Sequence, residues 1–239
     1  MFKKIFFDLI NQSTMIRKTH FSVLIIVTLF SCSSYAFLTK KQEQTLKDDY
    51  NLRVDMLKVI GENIHLNNQD TLLDIASGYG VSISIMSNYL PQKTQYFVED
   101  INKKTCNRRA FKGLLNLIDS KANINNFHFF YGKENALPFP SNSFSNATLF
   151  ISIHEFSQKE AMLLEAARCL RKNGKLFVLE VVARDGFKVQ DSNCGFDYIT
   201  NSSLNELIKK SNFKIFKDTI ISKIEYNDSC LTRFLILEK

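Results

Sequence analysis

The sequence contains no Cys-x-x-Cys pair and no histidine at the spacing of a zinc motif, although it has five cysteines and four histidines. Because metal sites built from neighbouring ligands show such spacings, we predict no metal site. Cys106 and Cys169 fall within predicted helices among apolar residues, which favours buried free thiols. Repeats and low-complexity tracts are also absent, and 239 residues suffice for one hydrophobic core. We therefore expect one domain, residues 37–239, behind an N-terminal leader.

Dense clusters of basic residues are missing as well. The chain has a net charge of +7, and without residues 1–36 it retains 27 basic and 23 acidic residues, a net charge of +4. These charges are scattered in short pairs, as is typical of solvated helix faces. The sequence therefore gives no indication of a nucleic-acid partner.

The first 40 residues have the composition of an export signal. Basic residues precede the ten-residue apolar run Phe21–Phe30, and small residues follow it. Ten apolar residues are too few to span a bilayer. We predict that residues 1–36 are a signal segment and that the protein is exported, either to the periplasm or as a membrane-anchored lipoprotein.

Several details of the leader stay open. Met15 is an alternative start, because its basic residues directly precede the apolar run. Leu29–Cys32 resembles a lipobox that would make Cys32 a lipidated N-terminus, whereas Ser34–Ala36 resembles an ordinary cleavage site. An uncleaved anchor over Phe21–Leu38 and an unprocessed cytoplasmic chain are the remaining alternatives.

Strand and helix patterns alternate in the central part of the chain. The predicted strands are Thr71–Ile75, Gln95–Val98, Phe127–Tyr131, Ala147–Ile153 and Lys175–Val182. The first two predicted helices lie within Tyr50–Ile60 and at Val81–Leu90. The third is Lys103–Ile118, with Asn102 as its N-cap. The fourth is capped by Ser157 and ends at Leu170, before the stop signal Asn173-Gly174. Regular alternation predicts an α/β fold with a parallel sheet and helices on both faces.

The pattern changes after Val182. A helix at Ser203–Lys210 is followed by two strands, Phe213–Ile221 and Cys230–Leu237, with a turn at Asn227-Asp228 between them. Two strands joined by a short link form a hairpin. We therefore expect an antiparallel strand at the edge of the parallel sheet.

The stretch Thr71–Gly80 (TLLDIASGYG) joins the first strand to a glycine turn. Glycine lacks a Cβ atom, so the backbone can turn sharply and a ligand can approach it. Asp100 lies 20 residues after Gly80, at the end of the second strand, where an acid can accept hydrogen bonds from ribose hydroxyls. The alternative is an acid at a helix N-terminus. Strand alternation lets only one of Glu99 and Asp100 face the ligand.

Together these motifs resemble the class I S-adenosylmethionine-dependent methyltransferases, in the small-molecule branch that includes the quinone-biosynthesis C-methyltransferases. The resemblance covers about Thr71–Val182. LDIASGYG is similar to the strand-one motif of the family, and FVEDIN is similar to its strand-two acid. ENALPFPSNSFSNATLFISIHEF is similar to its ligand loop and strand four, and EAARCLRKNGKLFVLEVV is similar to its next helix, turn and strand five. It implies a Rossmann-like seven-stranded sheet, mostly parallel with an antiparallel last strand. It also implies S-adenosylmethionine as cofactor and methyl transfer to a small or lipid-like acceptor.

The resemblance also implies roles for single residues. Asp74 would hold the methionine amino group of the cofactor, and Asp100 would bind its ribose. The amino-acid part of the cofactor would lie against Ala76, Ser77, Gly78 and Gly80. The adenine would lie near Gly132–Leu137. The transferred methyl would face Ile151–His154. The chain departs from the family at Ala76, where glycine is usual, at Lys133, where an acid commonly receives the adenine amino group, and at Asn173-Gly174, where Pro-Gly is usual. Glu134, or backbone groups, would replace the missing adenine contact.

Methyl transfer needs a base only when the acceptor must lose a proton. His154 is our catalytic candidate, because it follows the carboxyl end of a parallel strand, where open α/β sheets bind ligands. The alternative is a histidine that closes the cofactor pocket. Weaker candidates for the acceptor pocket are Tyr79, Asp197 and Tyr198, while Glu155 is predicted to start a helix and Glu165 to pair with Arg168.

Two other functions remain open, namely methylation of a protein or peptide and a non-catalytic binding module with a methyltransferase fold. Lys133 and the export signal favour the binding module, since the cofactor is made in the cytoplasm. We expect a monomer or a weak dimer.

Overall fold

The computed structural model describes residues 54–55, 57–64, 66, 70–118, 120–191, 194–221 and 228–239. The predicted leader, with its alternative starts and cleavage points, lies outside these residues, as does Asn227 of the hairpin turn. Residues 54–55 and 57–63 are helical, which agrees with the end of the predicted amphipathic helix. Within the described ranges, no helix is long and apolar enough to cross a membrane.

The strands and helices follow one another in the predicted order. The strands are β1 (Thr71–Ile75), β2 (Gln95–Glu99), β3 (Phe127–Phe130), β4 (Phe144–Phe150), β5 (Leu170–Ala183), β6 (Lys214–Ile220) and β7 (Cys230–Glu238). The helices after β1 are α1 (Val81–Met86), α2 (Arg108–Leu117), α3 (Lys159–Cys169) and α4 (Asn201–Lys210). Short 3₁₀ turns occupy Ser87–Tyr89, Ile124–Asn126 and Ile153–Glu155.

The seven strands form one sheet in the order β3-β2-β1-β4-β5-β7-β6. The first five strands run parallel, and β7 is antiparallel to both β5 and β6. The predicted α/β class and the antiparallel last strand are thus confirmed. From β1 the chain builds the sheet outwards through β2 and β3, then returns to β4 on the other side. The carboxyl ends of β1 and β4 therefore flank the crevice in which open α/β sheets bind ligands.

The antiparallel strand β7 lies at the edge of the five parallel strands, as predicted. It pairs with β5 over Lys175–Ala183 and leaves β6 as the edge strand. Composition explains this order. All seven residues of β6 (KIFKDTI) are exposed, whereas most of β7 (CLTRFLILE) is buried. Charged residues suit an edge strand, which they protect from pairing with other chains.

Helices cover both faces of the sheet. On one face, Leu163 of α3 and Leu204 of α4 join a buried cluster with Leu149 and Val178 of the central strands. On the β3 side, the buried ring of Phe111 in α2 packs edge-on against Phe127 and Phe129, with centroids 5.9 and 5.0 Å away. These packed layers keep water from the sheet and fix the strand ends that build the site.

Several element boundaries differ from the predictions: β4 spans Phe144–Phe150 instead of Ala147–Ile153, and α1 ends at Met86 instead of Leu90. Three further differences concern helix caps and a helix stop. Helix α2 begins at Arg108 instead of Lys103, because the Asn107 carboxamide accepts hydrogen bonds from the N–H groups of Arg109 and Ala110. Gln158 occupies the N-cap position of α3 in place of Ser157.

The third difference concerns the predicted Asn173-Gly174 helix stop. It lies within a bulge of β5, where Phe144 pairs with Leu170 but Asn146 pairs with Lys175. Asn173 has φ 62°, a conformation that asparagine tolerates better than most residues.

Candidate active site

The turn after β1 has three left-handed residues, with φ 53° at Ala76, 54° at Gly78 and 76° at Gly80. Glycine adopts this conformation freely, but for alanine it costs about 1 to 2 kcal/mol. The N–H of Ser77 donates to the carbonyl of Glu99 at 2.9 Å, and that of Gly80 donates to the carbonyl of Ser77 at 2.8 Å. These bonds hold the turn against the end of β2, so the strained alanine is retained by its surroundings.

Asp74 is buried at the carboxyl end of β1. Its Oδ1 accepts from the hydroxyl of Thr148 on β4 at 2.6 Å, and its Oδ2 accepts from the hydroxyl of Ser77 at 2.5 Å. Burial raises the pKa of Asp74 to about 6, although both hydroxyls oppose this shift. The carboxyl group thus has a fixed orientation and exchanges its proton close to neutral pH.

Asp100 and Glu99 accept from different backbone groups, although Glu99 also accepts from the N–H of Ala76 in the turn. The half-buried Asp100 accepts from the N–H of Gly78 at 2.7 Å and from that of Asn102 at 2.7 Å, so it lies against the glycine turn. The buried Glu99 accepts from the N–H of Gly132 at 3.0 Å. Burial, together with the charges of Asp100 and Asp74, raises the pKa of Glu99 to about 7.

The loop after β3 is held by groups that the motif analysis did not place in the site. Glu165 accepts from the N–H of Leu137 at 3.0 Å, and Arg168 donates to the carbonyls of Leu137 and Phe139 at 3.2 and 2.8 Å. The predicted Glu165–Arg168 pair is present at 2.7 Å. Lys133 and Glu134 are exposed at the tip of this loop. The loop therefore has a fixed base and a solvent-facing tip.

A second strained residue marks the end of β4. Ile151 has φ 50°, which is rare for a β-branched side chain, and its N–H donates to the carbonyl of Leu179 at 2.6 Å. Asp74 and Ile75 of β1 pair with Thr148 and Leu149 of β4, so the segment starting at Ile151 leaves the sheet beside the glycine turn.

His154 lies in this segment and is 1% exposed. Its Nδ1 is 2.9 Å from Oε1 of Glu180, a fully buried residue of β5 whose other carboxylate oxygen accepts from the N–H groups of Ser152 and Ile153. Its Nε2 is 3.6 Å from Oδ2 of Asp191. Burial lowers the pKa of His154, but the hydrogen bond and the charge of Glu180 outweigh burial, and the net shift is upward.

Two further side chains complete this cluster. The Tyr198 hydroxyl donates to Oδ2 of Asp191 at 2.8 Å, and the Tyr198 ring packs edge-on against His154 at 5.0 Å. Glu155 Oε1 lies 3.9 Å from His154 Nε2. Burial, together with the charges of Asp191, Glu180 and Asp100, raises the pKa of Glu155, although the charge of His154 opposes this shift.

Some residues named from the sequence lie apart from these contacts. Asp197 is exposed and pairs with Lys188 at 3.1 Å, and Tyr79 is exposed at the glycine turn. Conversely, Glu180 and Asp191 were missed. Glu180 had a detectable signal, since it is the only charged residue in the apolar run LFVLEVV of β5. Asp191 lies in a polar loop, where no sequence signal distinguishes it from its neighbours.

Comparison with known proteins agrees with this geometry. Residues 73–178 match a family described as "Methyltransferase domain". The ubiquinone/menaquinone biosynthesis C-methyltransferase of Shewanella frigidimarina is 32% identical over 109 residues, which are 46% of this chain and 41% of that protein. The corresponding protein of Shewanella piezotolerans is 28% identical over 109 residues. The chain thus spans about two fifths of the length of the curated relatives it matches.

Solved structures share the fold at low identity. The cyclase SpnF has a TM-score of 0.65 at 16% identity and covers 78% of this chain and 80% of its own. A SAM dependent methyltransferase from Aquifex aeolicus has a TM-score of 0.60 at 16% identity, over 84% of this chain and 99% of its own. The family match over residues 73–178, the curated relatives and the sheet order agree with the resemblance to class I S-adenosylmethionine-dependent methyltransferases found in the sequence.

Proposed function

We propose that this protein transfers a methyl group from S-adenosylmethionine to a small-molecule or lipid-like acceptor. The observation that carries the proposal is the pairing of Asp100 with the N–H of Gly78 in the crevice beside Asp74. It joins the acid after β2 to the glycine turn after β1, which is the arrangement that binds a ribose next to a glycine turn. The curated relatives, named as quinone-biosynthesis C-methyltransferases, make quinone-like rings the first acceptors to test.

The residues around the turn fit this cofactor. A Cβ atom on Gly78 would meet no atom within 4 Å, so there is open space above the turn. Asp74, Glu99 and Asp100 place three carboxyl groups around it, and their mutual repulsion contributes to the raised pKa of Glu99. S-adenosylmethionine carries a positive sulfonium and a positive amino group, and both would reduce this repulsion.

In the proposed complex, Asp74 holds the amino group and Asp100 the ribose hydroxyls. The cofactor's amino-acid part lies on the backbone of Ala76, Ser77, Gly78 and Gly80. Glu134, at the exposed tip of the loop, takes the adenine contact that Lys133 cannot make. Ile151 faces the transferred methyl. When bound, the cofactor supplies an activated methyl group, so the protein's task is to align the acceptor and exclude water.

His154 is proposed as the base for an acceptor that must lose a proton. Glu180 receives the Nδ1–H, which leaves the Nε2 lone pair to accept the proton. Because His154 is 1% exposed, this role requires the Tyr198–Asp191 contact to open when an acceptor binds.

A non-catalytic binding module is the second candidate, and Ala76 and Lys133 favour it because both depart from the family pattern. The structural similarity to a cyclase also illustrates that this fold serves other chemistry. Methylation of a protein or peptide remains a further alternative.

The test of function is transfer of radiolabelled methyl from S-adenosylmethionine to a panel of phenols, quinols and peptides. Time-dependent label in a phenol or quinol supports the proposal. Label in peptides alone would replace it with protein methylation. Cofactor binding without turnover on any acceptor would favour the binding module.

We also propose that the leader directs export, with membrane association only through the N-terminal segment and a monomer or weak dimer in solution. Mass spectrometry of the mature N-terminus tests the leader. A chain beginning at Phe37 or at a lipidated Cys32 is expected, and an intact Met1 or Met15 would contradict cleavage. Sedimentation velocity tests the oligomeric state, and a stable higher oligomer would contradict it.

A further inference from the structure

One nitrogen of His154 has no hydrogen-bond partner among the residues that the structure describes. This atom is Nε2, in a side chain that is 1% exposed. The opposite nitrogen, Nδ1, must carry the hydrogen, because Glu180 Oε1 accepts from it and also from the N–H of Val181. A neutral His154 therefore points a lone pair from Nε2 into its surroundings. A buried acceptor of this kind is costly unless a cation or a donor meets it.

The groups that face Nε2 are themselves acceptors. Glu155 Oε1 lies 3.9 Å away and Asp191 Oδ2 lies 3.6 Å away. The thiol of Cys194 approaches from the loop after β5, and the ligand atoms of His154, Glu155 and Cys194 all lie within 4.8 Å of one another. An imidazole nitrogen, a carboxylate and a sulfur thus converge on one point. This convergence attracts a positive ion.

We propose that His154 Nε2, Glu155 and Cys194 bind a divalent transition metal ion of the zinc class. Zinc lies about 2.0 to 2.3 Å from such ligands, so ligand atoms in a tetrahedral site are about 3.3 to 3.8 Å apart. The distance of 3.9 Å between His154 Nε2 and Glu155 Oε1, and the limit of 4.8 Å for the three ligand atoms, exceed this range by about 1 Å or less. A mixture of nitrogen, sulfur and oxygen ligands selects zinc, cobalt or a similar ion over magnesium or calcium.

The surroundings of the three ligands support this inference. A metal-binding histidine almost always donates its second N–H to a carboxylate or carbonyl, and Glu180 provides that carboxylate. Asp191, held by the Tyr198 hydroxyl, adds negative charge beside the site. Glu155 is exposed and Cys194 is half-buried, which gives an ion access and lets both side chains adjust. Binding converts the Cys194 thiol to a metal-bound thiolate and releases one proton to solvent.

We predicted no metal site from the sequence, because the spacing of these three residues is not that of a local zinc motif. His154 and Glu155 are adjacent, but Cys194 is distant in sequence and reaches them only through the loop that follows β5. One lone pair serves either a proton or a metal, so the proposed base role of His154 belongs to the metal-free chain. The proposed metal site lies at the same end of the sheet as the proposed cofactor site, but the inference does not depend on methyl transfer.

Cobalt binding to the full chain, freed of metal by chelation and carrying no affinity tag, tests the proposal. One equivalent of Co²⁺ is expected to bind and to give the charge-transfer absorption of a cobalt–thiolate bond. Cys194→Ser should abolish this band, and Glu155→Gln should weaken binding about 10-fold. Cys230→Ser and Glu160→Gln are the matched controls, a buried cysteine and an exposed acid outside the site, and both should behave like the parent chain.

Absence of Co²⁺ uptake by a folded chain, or a thiolate band that survives in Cys194→Ser, would overturn the inference. Titration with S-adenosylhomocysteine keeps this test separate from the proposed function. A chain that binds S-adenosylhomocysteine but no Co²⁺ contradicts only the metal site. A chain that binds Co²⁺ through Cys194 but no S-adenosylhomocysteine supports the metal site and contradicts the methyltransferase proposal.

Discussion

The glycine turn after β1 and the His154 cluster after β4 lie at neighbouring strand ends but are assembled differently. The turn takes most of its groups from Asp74–Gly80 and closes on Asp100. The His154 cluster draws on β4, β5 and the loop beyond it, with partners separated by 26 to 37 residues. Both regions contain a strained residue, Ala76 in one and Ile151 in the other. Strain is tolerated at both strand ends, but only the turn has a contiguous sequence motif.

The largest effect is expected from Gly80→Ala, which alters the glycine turn and leaves the His154 cluster unchanged. The new Cβ would overlap the ring of Phe111, and φ 76° disfavours alanine. Because Phe111 is fixed by Phe127 and Phe129, we expect at least about 100-fold weaker binding of S-adenosylhomocysteine, measured by calorimetry. Gly113→Ala is the matched control, since its Cβ meets no atom within 4 Å and alanine favours helix α2. Equal affinity in both variants would show that the turn does not bind the cofactor.

Asp100→Asn should have the second largest effect. It removes the charge proposed to bind the ribose hydroxyls and weakens the contact with Gly78, so affinity for S-adenosylhomocysteine should fall about 10- to 100-fold. Asp185→Asn changes an exposed acid that accepts from the N–H of Ser202, away from the turn, and should leave affinity unchanged. An unchanged affinity in Asp100→Asn would place the ribose elsewhere.

Acidification should weaken cofactor binding through Asp74. The pKa of this carboxyl is raised to about 6, and only its ionised form attracts the amino group. Affinity for S-adenosylhomocysteine should therefore fall as pH decreases through 6, by up to about 10-fold per pH unit below it. Asp74→Asn should bind weakly with a flat profile, whereas Asp100→Asn should keep the slope. A flat profile in the parent chain would exclude the Asp74 contact.

The last effect concerns stability rather than binding. A carboxyl whose folded pKa lies above its unfolded value stabilises the fold at low pH, and this contribution is lost as pH rises through the folded pKa. The pKa of Glu99 is raised from 4.5 to about 7, so the unfolding free energy should decrease as the pH rises from 4.5 to about 7.

Glu99→Gln should reduce that decrease by about 2 to 3 kcal/mol in denaturant titrations at a series of pH values. Glu160→Gln, an exposed acid of α3, should leave it unchanged. A decrease of the same size in Glu99→Gln and the parent chain would show that Glu99 does not titrate in this range.

The sheet and the turn could be predicted because their signals are local. Apolar runs identify strands without knowledge of their neighbours, and the glycines and Asp100 occur at a fixed spacing. The N-cap of α2 was misplaced because Asn102 and Asn107 both make capping-type contacts, and the residue type alone does not distinguish them.

Other features depend on contacts between distant parts of the chain. The place of β7 between β5 and β6 is decided by competition for a buried position, which short-range patterns do not report. Likewise, His154 was predicted as a site residue, but its partners Glu180 and Asp191 became visible only when the fold brought them together. The His154 role itself stays a prediction until variants are measured.

Calorimetric titration of the folded chain with S-adenosylhomocysteine tests the central claim most directly. The account predicts saturable binding at one site, lost in Gly80→Ala and retained in Gly113→Ala. No heat of binding from a chain with native circular dichroism, or equal binding by both variants, would contradict it.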